Sequence, residues 1–436
     1  MMRDVVSRTR EFLKAWGVSP DCVDMHELLD VFHSEMERGL AGKGGSLEMI
    51  PTYTEVQESV PVGQSVIVLD AGGTNFRTCL VTFGEDGKPV ISDFKKTAMP
   101  GISREVSAKE FFSVFADEVE RLIDKSDRIG FCFSYAARIT PEHDGIPLMF
   151  SKEIKAPEVI GKPVGKTLLE ELARRGHDVS HKKVAVLNDT VATLLAGQSV
   201  EAGKQFGGYI GFILGTGTNV AYVEDNRNIT KLPGLKPGRQ IINVESGNFV
   251  GRPGKLDELF FSTTKQPAIY HFEKMISGAY QGPLCQLLIE KAVEEGILSK
   301  TFGERFEAFK PLSTTVMSNY LEMPFNQDYA LVKCVQGNEE DAIALWHLID
   351  NLISKAAKLT AANLTAAVLA SGQGKDPRRP VCINADGTTF YKTEFLKRDT
   401  EFYLQQYLQQ ELDRYAVLVK IENSPTIGAA IAGLSV

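Results

Sequence analysis

Apolar residues recur at helical spacing over roughly the first sixty residues, and after residue 64 the pattern changes. The segments "VVSRTREFLKAW" and "CVDMHELLDVFHSEMERGL" have the spacing of amphipathic helices. The segments "QSVIVLD", "NFRTCLVTFG" and "PVISDFK" then predict three strands, with a turn at "EDGK" between the last two. "AKEFFSVFADEVERLIDKSD" predicts a helix, and "RIGFCFSY" predicts a buried strand.

A second strand, glycine turn and strand follow later in the chain. "GKTLLEELARRG" predicts a helix, and the strand "KKVAVLNDT" runs into the helix "VATLLAGQ". In "GGYIGFILGTGTNVAYVED", residues 214–219 then stand where residues 70–75 stood in the first unit. Two such units suggest two similar halves with a cleft between them, and the alternation of strands and helices indicates an α/β protein.

Helices predominate after about residue 255. "EEDAIALWHLIDNLISKAAKLTAANLTAAVLASG" predicts one long helix, and "PVCINADG" and "AVLVKIEN" predict late strands. The last segment, "SPTIGAAIAGLSV", predicts a helix with Ser424 as its N-cap and Pro425 at its first position.

Composition narrows the possible partners. The 436 residues are 43% hydrophobic and 24% charged, which suits a globular chain long enough for two domains. The formal net charge of -8 argues against binding to nucleic acid or to an anionic membrane. No apolar run reaches membrane length, and the start "MMRDVVSRTREFLKAWG" has no signal-peptide core. We therefore expect a cytoplasmic protein.

The cysteines favour a reducing compartment. They are scattered, form no CxxC pair and lie mostly in apolar stretches, which predicts buried thiols rather than zinc ligands or disulfides. They are Cys22, Cys79, Cys132, Cys285, Cys334 and Cys382.

The glycine turns suggest a phosphate site. Backbone N–H groups in such a turn can converge on an anion, because no Cβ keeps it away. Asp70, at the end of a strand, could hold Mg²⁺, and Arg77 could offer its guanidinium to a phosphate. The alternative is a β-hairpin turn whose Asp and Gly serve geometry alone. Neither "GKPVGKT" nor "GTGTNV" fits a standard nucleotide-binding fingerprint, because Ile160 and Val220 replace required glycines.

The segment "LNDT" ends another strand and leaves two roles open for Asp189. Its carboxylate could take a proton from a hydroxyl, or it could cap the helix that follows. Asn188 precedes it at the same strand end.

Seven segments in order resemble the hexokinase family of the eukaryotic type. "LDAGGTNFR" and "GFILGTGTNVAYVE" resemble its two phosphate motifs, and "GFCFSYAARI" with "FSKEI" resembles its sugar-binding segment. "VLNDTVATLLAG" is similar to the stretch that carries the catalytic base. "INVESGNF", "FEKMISGAYQG" and "INADGTTFY" are similar to later motifs, the last on the adenosine side.

The resemblance implies a role for each matching position. Asp189 would be the base for the sugar 6-hydroxyl, assisted by Lys152 and Arg77. The residues implied to bind the hexose are Ser134, Ser151, Lys152, Asn188, Asp189, Asn219, Glu245 and Glu273. Those implied to bind ATP are Asp70, Gly72, Gly73, Thr74, Asn75, Gly215, Thr216, Gly217, Asp386 and Gly387, with Asp70 also a ligand of Mg²⁺. Taken singly, Glu245, Glu273 and Lys152 would be read as surface charges; only the motifs give them these roles.

The fold implied is the two-lobed, actin-like ATPase (ribonuclease H-like) α/β fold with a cleft between a small and a large domain. Residues 60–189 would form the small domain, to which the helix 424–436 would return, and residues 1–59 and 190–423 the large one. The activity implied is ATP-dependent transfer of a phosphoryl group to a hexose, most simply glucose, as the first step of glycolysis, by a monomer or homodimer.

Two departures from the family pattern affect these expectations. Ser246 stands where the family has Trp, which removes a stacking ring. "IENSPTIGAA" replaces a Gly-Ser-Gly-rich turn near the nucleotide, and Pro425 removes an N–H there. The alternatives are therefore a hexokinase with another phosphoryl donor, a sugar-binding sensor that has lost turnover, or a different sugar kinase or ATPase of this architecture.

Overall fold

The computed structural model describes residues 2–57, 60, 62–150, 154–199 and 205–436. The strands are β1 (Ile50–Pro51), β2 (Ser65–Gly72), β3 (Asn75–Phe83), β4 (Pro89–Ala98), β5 (Arg128–Phe133), β6 (Ala137–Ile139), β7 (Gly145–Pro147), β8 (Lys183–Leu187), β9 (Gly208–Leu214), β10 (Thr218–Asp225), β11 (Arg239–Asn243), β12 (Val381–Asp386) and β13 (Ala416–Val419).

The helices alternate with these strands and then dominate the middle of the chain. They are α1 (Met2–Ala15), α2 (Met25–Leu40), α3 (Ala108–Glu120), α4 (Val164–Arg174), α5 (Asp189–Ala196), α6 (Lys255–Thr263), α7 (His271–Ile276), α8 (Gln281–Glu294), α9 (Lys300–Phe306), α10 (Thr314–Glu322), α11 (Ala330–Val335), α12 (Glu339–Ser371), α13 (Thr388–Lys392), α14 (Leu396–Tyr403) and α15 (Ser424–Leu434). A π-helical segment, Leu404–Glu411, continues α14.

Two mixed sheets share one topology. The first sheet has the order β4-β3-β2-β5-β8, and the second has the order β1-β11-β10-β9-β12-β13. In each, a hairpin (β2–β3 or β9–β10) joins two antiparallel strands, a third antiparallel strand (β4 or β11) adds on one side, and two parallel strands add on the other. Strand β1 extends the edge of the second sheet beside β11. The predicted internal similarity and the α/β class are confirmed.

Apolar residues form layers on both sides of the first sheet. One layer packs β2 and β5 against α3 and α4, with Phe111, Phe115 and Phe131 at its centre. The other lies between the two sheets and contains α5 and α15. These two helices cross so closely that a Cβ at Gly428 would overlap the carbonyl oxygen of Ala192. The predicted division into 60–189 with 424–436, and 1–59 with 190–423, stays a prediction.

Burial explains which strands the sequence predicted best. β2 is central and buried on both faces, so it is a continuous apolar run ending at Asp70. The predicted long helix is confirmed as α12, which ends at the left-handed Gly372 (φ 69°). The sequence missed the short β1, β6 and β7, and also β11, because a few residues give too little pattern.

Two predicted helix ends were wrong. The helix predicted over 108–127 ends at Glu120, and a 3₁₀ turn, Ile123–Lys125, follows it. Ser424 is not an N-cap: Asn423 is, with φ 59°, and α15 begins at Ser424. The Ser424 hydroxyl instead donates to the Ile421 carbonyl (2.7 Å) and accepts from the Asn384 amide (2.9 Å), so it is not available to cap the helix.

Candidate active site

The two predicted glycine turns join equivalent strands in the two sheets. In the first turn, Gly72 pairs with Asn75, which leaves Gly73 and Thr74 as a two-residue hairpin loop. Gly73 has φ 58°, a conformation that glycine adopts without strain. The hairpin alternative is therefore correct about the geometry of this turn. It does not account for the charged residues beside it.

Asp70 and Arg77 lie opposite each other on β2 and β3. Their side chains form an ion pair, with 2.6 Å between Nη1 of Arg77 and Oδ2 of Asp70. Burial raises the pKa of Asp70, and the Arg77 guanidinium opposes that rise. Arg77 is 37% exposed in its side chain, and this hydrogen bond uses one of its five N–H donors. The pair thus places a buried acid and a partly exposed cation beside the first glycine turn.

The sugar-binding segment predicted after β5 is tied to this turn. The Ser134 N–H donates to the Ala71 carbonyl (3.0 Å), and the Tyr135 hydroxyl donates to the Gly73 carbonyl (2.8 Å). A Cβ at Gly72 would lie 3.3 Å from the Ser134 hydroxyl. Ser134 is therefore adjacent to the first turn. The predicted partners Ser151 and Lys152 lie outside the described residues.

Asn188, not Asp189, caps helix α5. The Asn188 Oδ1 accepts from the Thr190 N–H at 2.8 Å. Asp189 is the first helical residue, and its carboxylate accepts a long hydrogen bond, 3.4 Å, from the Thr190 hydroxyl. The capping role left open for Asp189 therefore belongs to its neighbour, and the Asp189 carboxylate stands at the helix N-terminus, where negative charge is favoured.

Asp189 is close to carboxyl groups from both sheets. Its negative charge contributes to raising the pKa of Asp70 in the first sheet and of Asp386 in the second. It has the same effect on Glu245, which follows β11. For Asp70, Asp386 and Glu245 alike, burial is the largest cause of the raised pKa. Asp189 is therefore near enough to acidic residues of both halves for its charge to act on them.

The remaining predicted sugar residues come together in the second half. Asn219 lies on β10, and its Nδ2 is 3.4 Å from Oε1 of Glu245. Glu273, on α7, accepts the Thr218 N–H through Oε2 at 3.1 Å. Burial raises the pKa of Glu245 to about 7. Amide donors and carboxylate acceptors thus gather at the start of β10.

The second glycine turn is a three-residue loop, 215–217, that other elements hold. Thr216 and Gly217 follow Gly215, whose carbonyl accepts from the Gly278 N–H (2.9 Å) and the Thr389 hydroxyl (2.8 Å). Gly387, with φ 118°, packs so tightly that a Cβ there would overlap the Leu214 carbonyl oxygen. The predicted nucleoside residues Asp386 and Gly387 therefore adjoin this turn.

The sequence did not assign roles to Asn243, Gly278 or Thr389, which contact these groups. Asn243 donates to Glu245 at 2.7 Å. All three stood inside motifs already quoted, "INVESGNF", "FEKMISGAYQG" and "INADGTTFY", so the motifs were the only available signal. Ser246, in place of the family Trp, is buried and accepts a hydrogen bond from Asn363 of α12 (3.2 Å).

Neither a membrane-spanning helix nor a ready-made metal cluster occurs among the described residues. No described helix is long and apolar enough to cross a membrane. No group of three or more His, Cys, Asp or Glu side chains within the described ranges could hold a metal ion. A groove of about 940 Å³ is lined by residues of α4 and β8 such as Leu169 and Val184, and by none of the site residues named above.

Comparison with known proteins identifies the family. Two family models, both described as hexokinase, match residues 9–199 and 209–435. Hexokinase-9 of Oryza sativa subsp. japonica is 28% identical over 443 residues, which cover 94% of this chain and 86% of that protein. The hexokinase of Schistosoma mansoni is 29% identical over 449 residues, covering 97% and 96%.

Solved structures agree with the sequence matches. The structure of Schistosoma mansoni hexokinase complexed with glucose superposes with a TM-score of 0.77 at 25% identity, over the whole of both chains. A second hexokinase structure, 22% identical, has a TM-score of 0.80 and supports the two-lobed sugar-kinase fold. The chain therefore belongs to the hexokinase family and is an ATP-dependent hexose phosphotransferase.

Proposed function

We propose that this chain transfers the γ-phosphoryl group of ATP to the 6-hydroxyl of glucose, with Asp189 as the general base. The observation that carries this proposal is the position of Asp189, whose charge reaches acids of both halves while Asn188 caps the helix in its place. A base beside the acceptor hydroxyl contributes about 10²–10⁴-fold to such a transfer. The relative from Schistosoma mansoni that binds glucose makes this hexose the first candidate.

The sugar would be recognised by polar groups from both halves. A hexose has several hydroxyl groups and no charge, so amides and carboxylates are suited to reading it. A buried group left without its hydroxyl is costly, and that cost gives specificity. We assign this role to Ser134, Ser151, Lys152, Asn188, Asn219, Glu245 and Glu273.

The two glycine turns would hold the nucleotide phosphates. Gly72, Gly73, Thr74 and Asn75 form the first turn, and residues 215–217 the second. Arg77 would contact the transferring group through the N–H donors that Asp70 does not use. Asp386 and Gly387 would lie on the nucleoside side, because they adjoin the second turn.

The residues present fit Mg²⁺ bound with the nucleotide. Mg²⁺ is commonly held by one or two carboxylates together with waters and phosphate oxygens, and the buried Asp70 can supply such a carboxylate. When bound, the ion would neutralise charge that develops on the phosphates. Phosphoryl transfer otherwise needs mainly positioning, which the turns and Arg77 would provide.

Closure of the two lobes would protect ATP from water. Water is always present and smaller than the sugar, so a site completed only by sugar would limit hydrolysis. We propose that 60–189 with 424–436 moves against 1–59 with 190–423, with pivots near Thr190 and Pro425. The packing of α15 on β2 and β5 supports the return of that helix to the first half.

The expected setting is the cytoplasm, with the chain a monomer or homodimer. The described cysteines form no disulfide, and of the six only Cys22 is exposed, as a reducing compartment allows. A hexose and a Mg-nucleotide would be its ligands; the net charge of -8 gives no support to nucleic acid or membrane partners.

The decisive experiment measures ADP release from Mg-ATP with glucose, mannose, fructose and no sugar. Asp189→Ala should keep glucose binding, measured by calorimetry, and lose transfer by about 10²-fold or more. Asp30→Ala removes an exposed carboxylate from α2 and is the matched control. A rate in Asp189→Ala equal to that of the control would exclude the base role, and sugar-independent ADP release in the unchanged protein would exclude the kinase assignment.

A further inference from the structure

A directional chain of hydrogen bonds ends on Glu245. The Asn219 Oδ1 accepts two backbone N–H groups, from Val220 (2.8 Å) and Ser246 (3.2 Å). These two donors fix which end of the Asn219 amide is oxygen, so its Nδ2 must point the other way. That Nδ2 donates to Oδ1 of Asn243 at 2.7 Å.

The same logic fixes the second amide. Because the Asn243 Oδ1 accepts from Asn219, the Asn243 Nδ2 is the atom that faces Glu245, and it donates to Oε1 at 2.7 Å. The hydrogen bonds therefore run in one direction: backbone N–H groups donate to Asn219, Asn219 donates to Asn243, and Asn243 donates to the Glu245 carboxylate. Its polarity cannot reverse without leaving two backbone N–H groups unpaired.

The backbone at Glu245 is also held in an uncommon conformation. Glu245 has φ 59°, in the left-handed region of backbone conformation that residues other than Gly, Asn and Asp seldom adopt. The next residue, Ser246, is anchored on both its N–H, to Asn219, and its hydroxyl, from Asn363. Such strain persists where the surroundings over-determine it, and it clusters at binding sites.

We infer that Asn243 is a positioning residue for sugar recognition: its amide fixes Oε1 of Glu245 and so directs Oε2 to a hydroxyl of the hexose. Asn243 itself is buried at the end of β11 and acts through Glu245. The inference rests on the proposed role of Glu245 as a sugar ligand.

The charges around Glu245 make the hydrogen bond from Asn243 important for the pKa of Glu245. Among the described residues, the charged groups that act on Glu245 are Glu48, before β1, Asp189 on α5 and Glu273 on α7, and all three are negative. The phenol of Tyr270 also lies near it. Together with burial, these charges raise the pKa of Glu245, whereas the Asn243 amide lowers it by donating to the ionised form. Loss of the amide should therefore raise the pKa of Glu245 further.

The test is Asn243→Asp, which keeps the shape of the side chain but replaces the donor with an acceptor. We expect the KM for glucose to rise by about 10-fold or more, with kcat within about 3-fold of the unchanged protein. The acidic limb of the kcat/KM profile for glucose, which reports the free enzyme, should move to higher pH. Gln240→Glu is the matched control, because it is the same amide-to-acid change on β11 at a buried residue bonded to Asn226 and Tyr53 instead. It should keep the KM and the pH profile.

A double-mutant cycle separates positioning from general damage. In the Glu245→Gln background, Asn243→Ser should have little further effect on the KM or on the acidic limb, because the carboxylate that the Asn243 amide positions is gone and serine adds no ionisable group. Asn243→Ser, which retains a small polar side chain, serves if Asn243→Asp does not fold, and calorimetric titration of glucose at several pH values then supplies the readout. A KM and pH limb in both Asn243 variants equal to those of Gln240→Glu would overturn the inference. If the unchanged protein itself shows no sugar-dependent transfer, the proposed function fails instead.

Discussion

The two glycine turns occupy equivalent places in the two sheets, and different forces hold them. In the first turn, Asp70 on β2 and Arg77 on β3 face each other and form an ion pair across the hairpin. In the second, the position of Asp70 is taken by the apolar Leu214. There the loop is held by Gly278 and Thr389, which bind the carbonyl of Gly215.

The comparison suggests a division of labour between similar halves. A buried acid next to a permanent cation can respond to an incoming cation and anion by exchanging partners. A loop held by neutral hydrogen bonds supplies shape and fixed backbone donors instead. The first turn should therefore be sensitive to changes of charge, and the second to changes of volume and hydrogen bonding.

The largest effect should come from breaking the ion pair of the first turn. Arg77→Leu leaves Asp70 buried without its cation and removes the donors proposed to stabilise the transferring phosphoryl group. We expect kcat to fall by about 10²–10³-fold and the free energy of unfolding to fall by about 1–3 kcal/mol. Steady-state kinetics and denaturant unfolding measure the two effects.

The second half offers a control for this change. Arg227 pairs with Asp225 at 2.7 Å at the end of β10, and its side chain is 83% exposed. Arg227→Leu should leave the free energy of unfolding almost unchanged, since solvent screens such exposed pairs. Equal losses in both variants would contradict the idea that the first turn depends on its buried pair.

The second turn should instead respond to added volume. A Cβ at Gly217 would overlap Oε2 of Glu273, which must then move away from the Thr218 N–H it accepts from. Gly217→Ala should raise the KM for glucose by about 10-fold and lower the free energy of unfolding by about 1–3 kcal/mol.

Gly215→Ala is the comparison within the same loop. A Cβ there would meet its nearest neighbour, the Gly387 Cα, at 3.7 Å, an ordinary contact. Thermal unfolding should distinguish the two variants, with Gly217→Ala the less stable. If Gly215→Ala were equally destabilised, displacement of Glu273 would not be the cause of the lower stability of Gly217→Ala.

Patterns that extend over many residues made much of the fold predictable from the sequence. Strand β2 is a run of apolar residues ending at Asp70, and α12 repeats its apolar positions over 33 residues, so both are clear in the sequence. The likeness between 70–75 and 214–219 correctly indicated two related halves. Motifs, not spacing, marked Glu245 and Glu273, because a single acid in a sequence has the same pattern at the surface as in a site.

The missed features depend on contacts between distant segments. No local signal shows that Asn188, and not Asp189, is the N-cap of α5, since both residue types cap helices well. The hydroxyl of Ser424 was expected at a helix end, but Asn384, 40 residues earlier, engages it. Asn243 acquires its role only because β10 lies beside β11 and brings Asn219 to it.

The smallest effect should come from one hydrogen bond of the second turn. Thr389→Val keeps the shape of the side chain but removes the hydroxyl that donates to the Gly215 carbonyl at 2.8 Å. The Gly278 N–H still binds that carbonyl, so the loop should remain in place, and the free energy of unfolding should fall by only about 1 kcal/mol. Because the loop is proposed to hold phosphates, the KM for ATP should rise a few-fold while the KM for glucose stays unchanged. Initial rates with each substrate varied in turn measure both constants, and a larger change in the glucose KM would place the loop on the sugar side of the site instead.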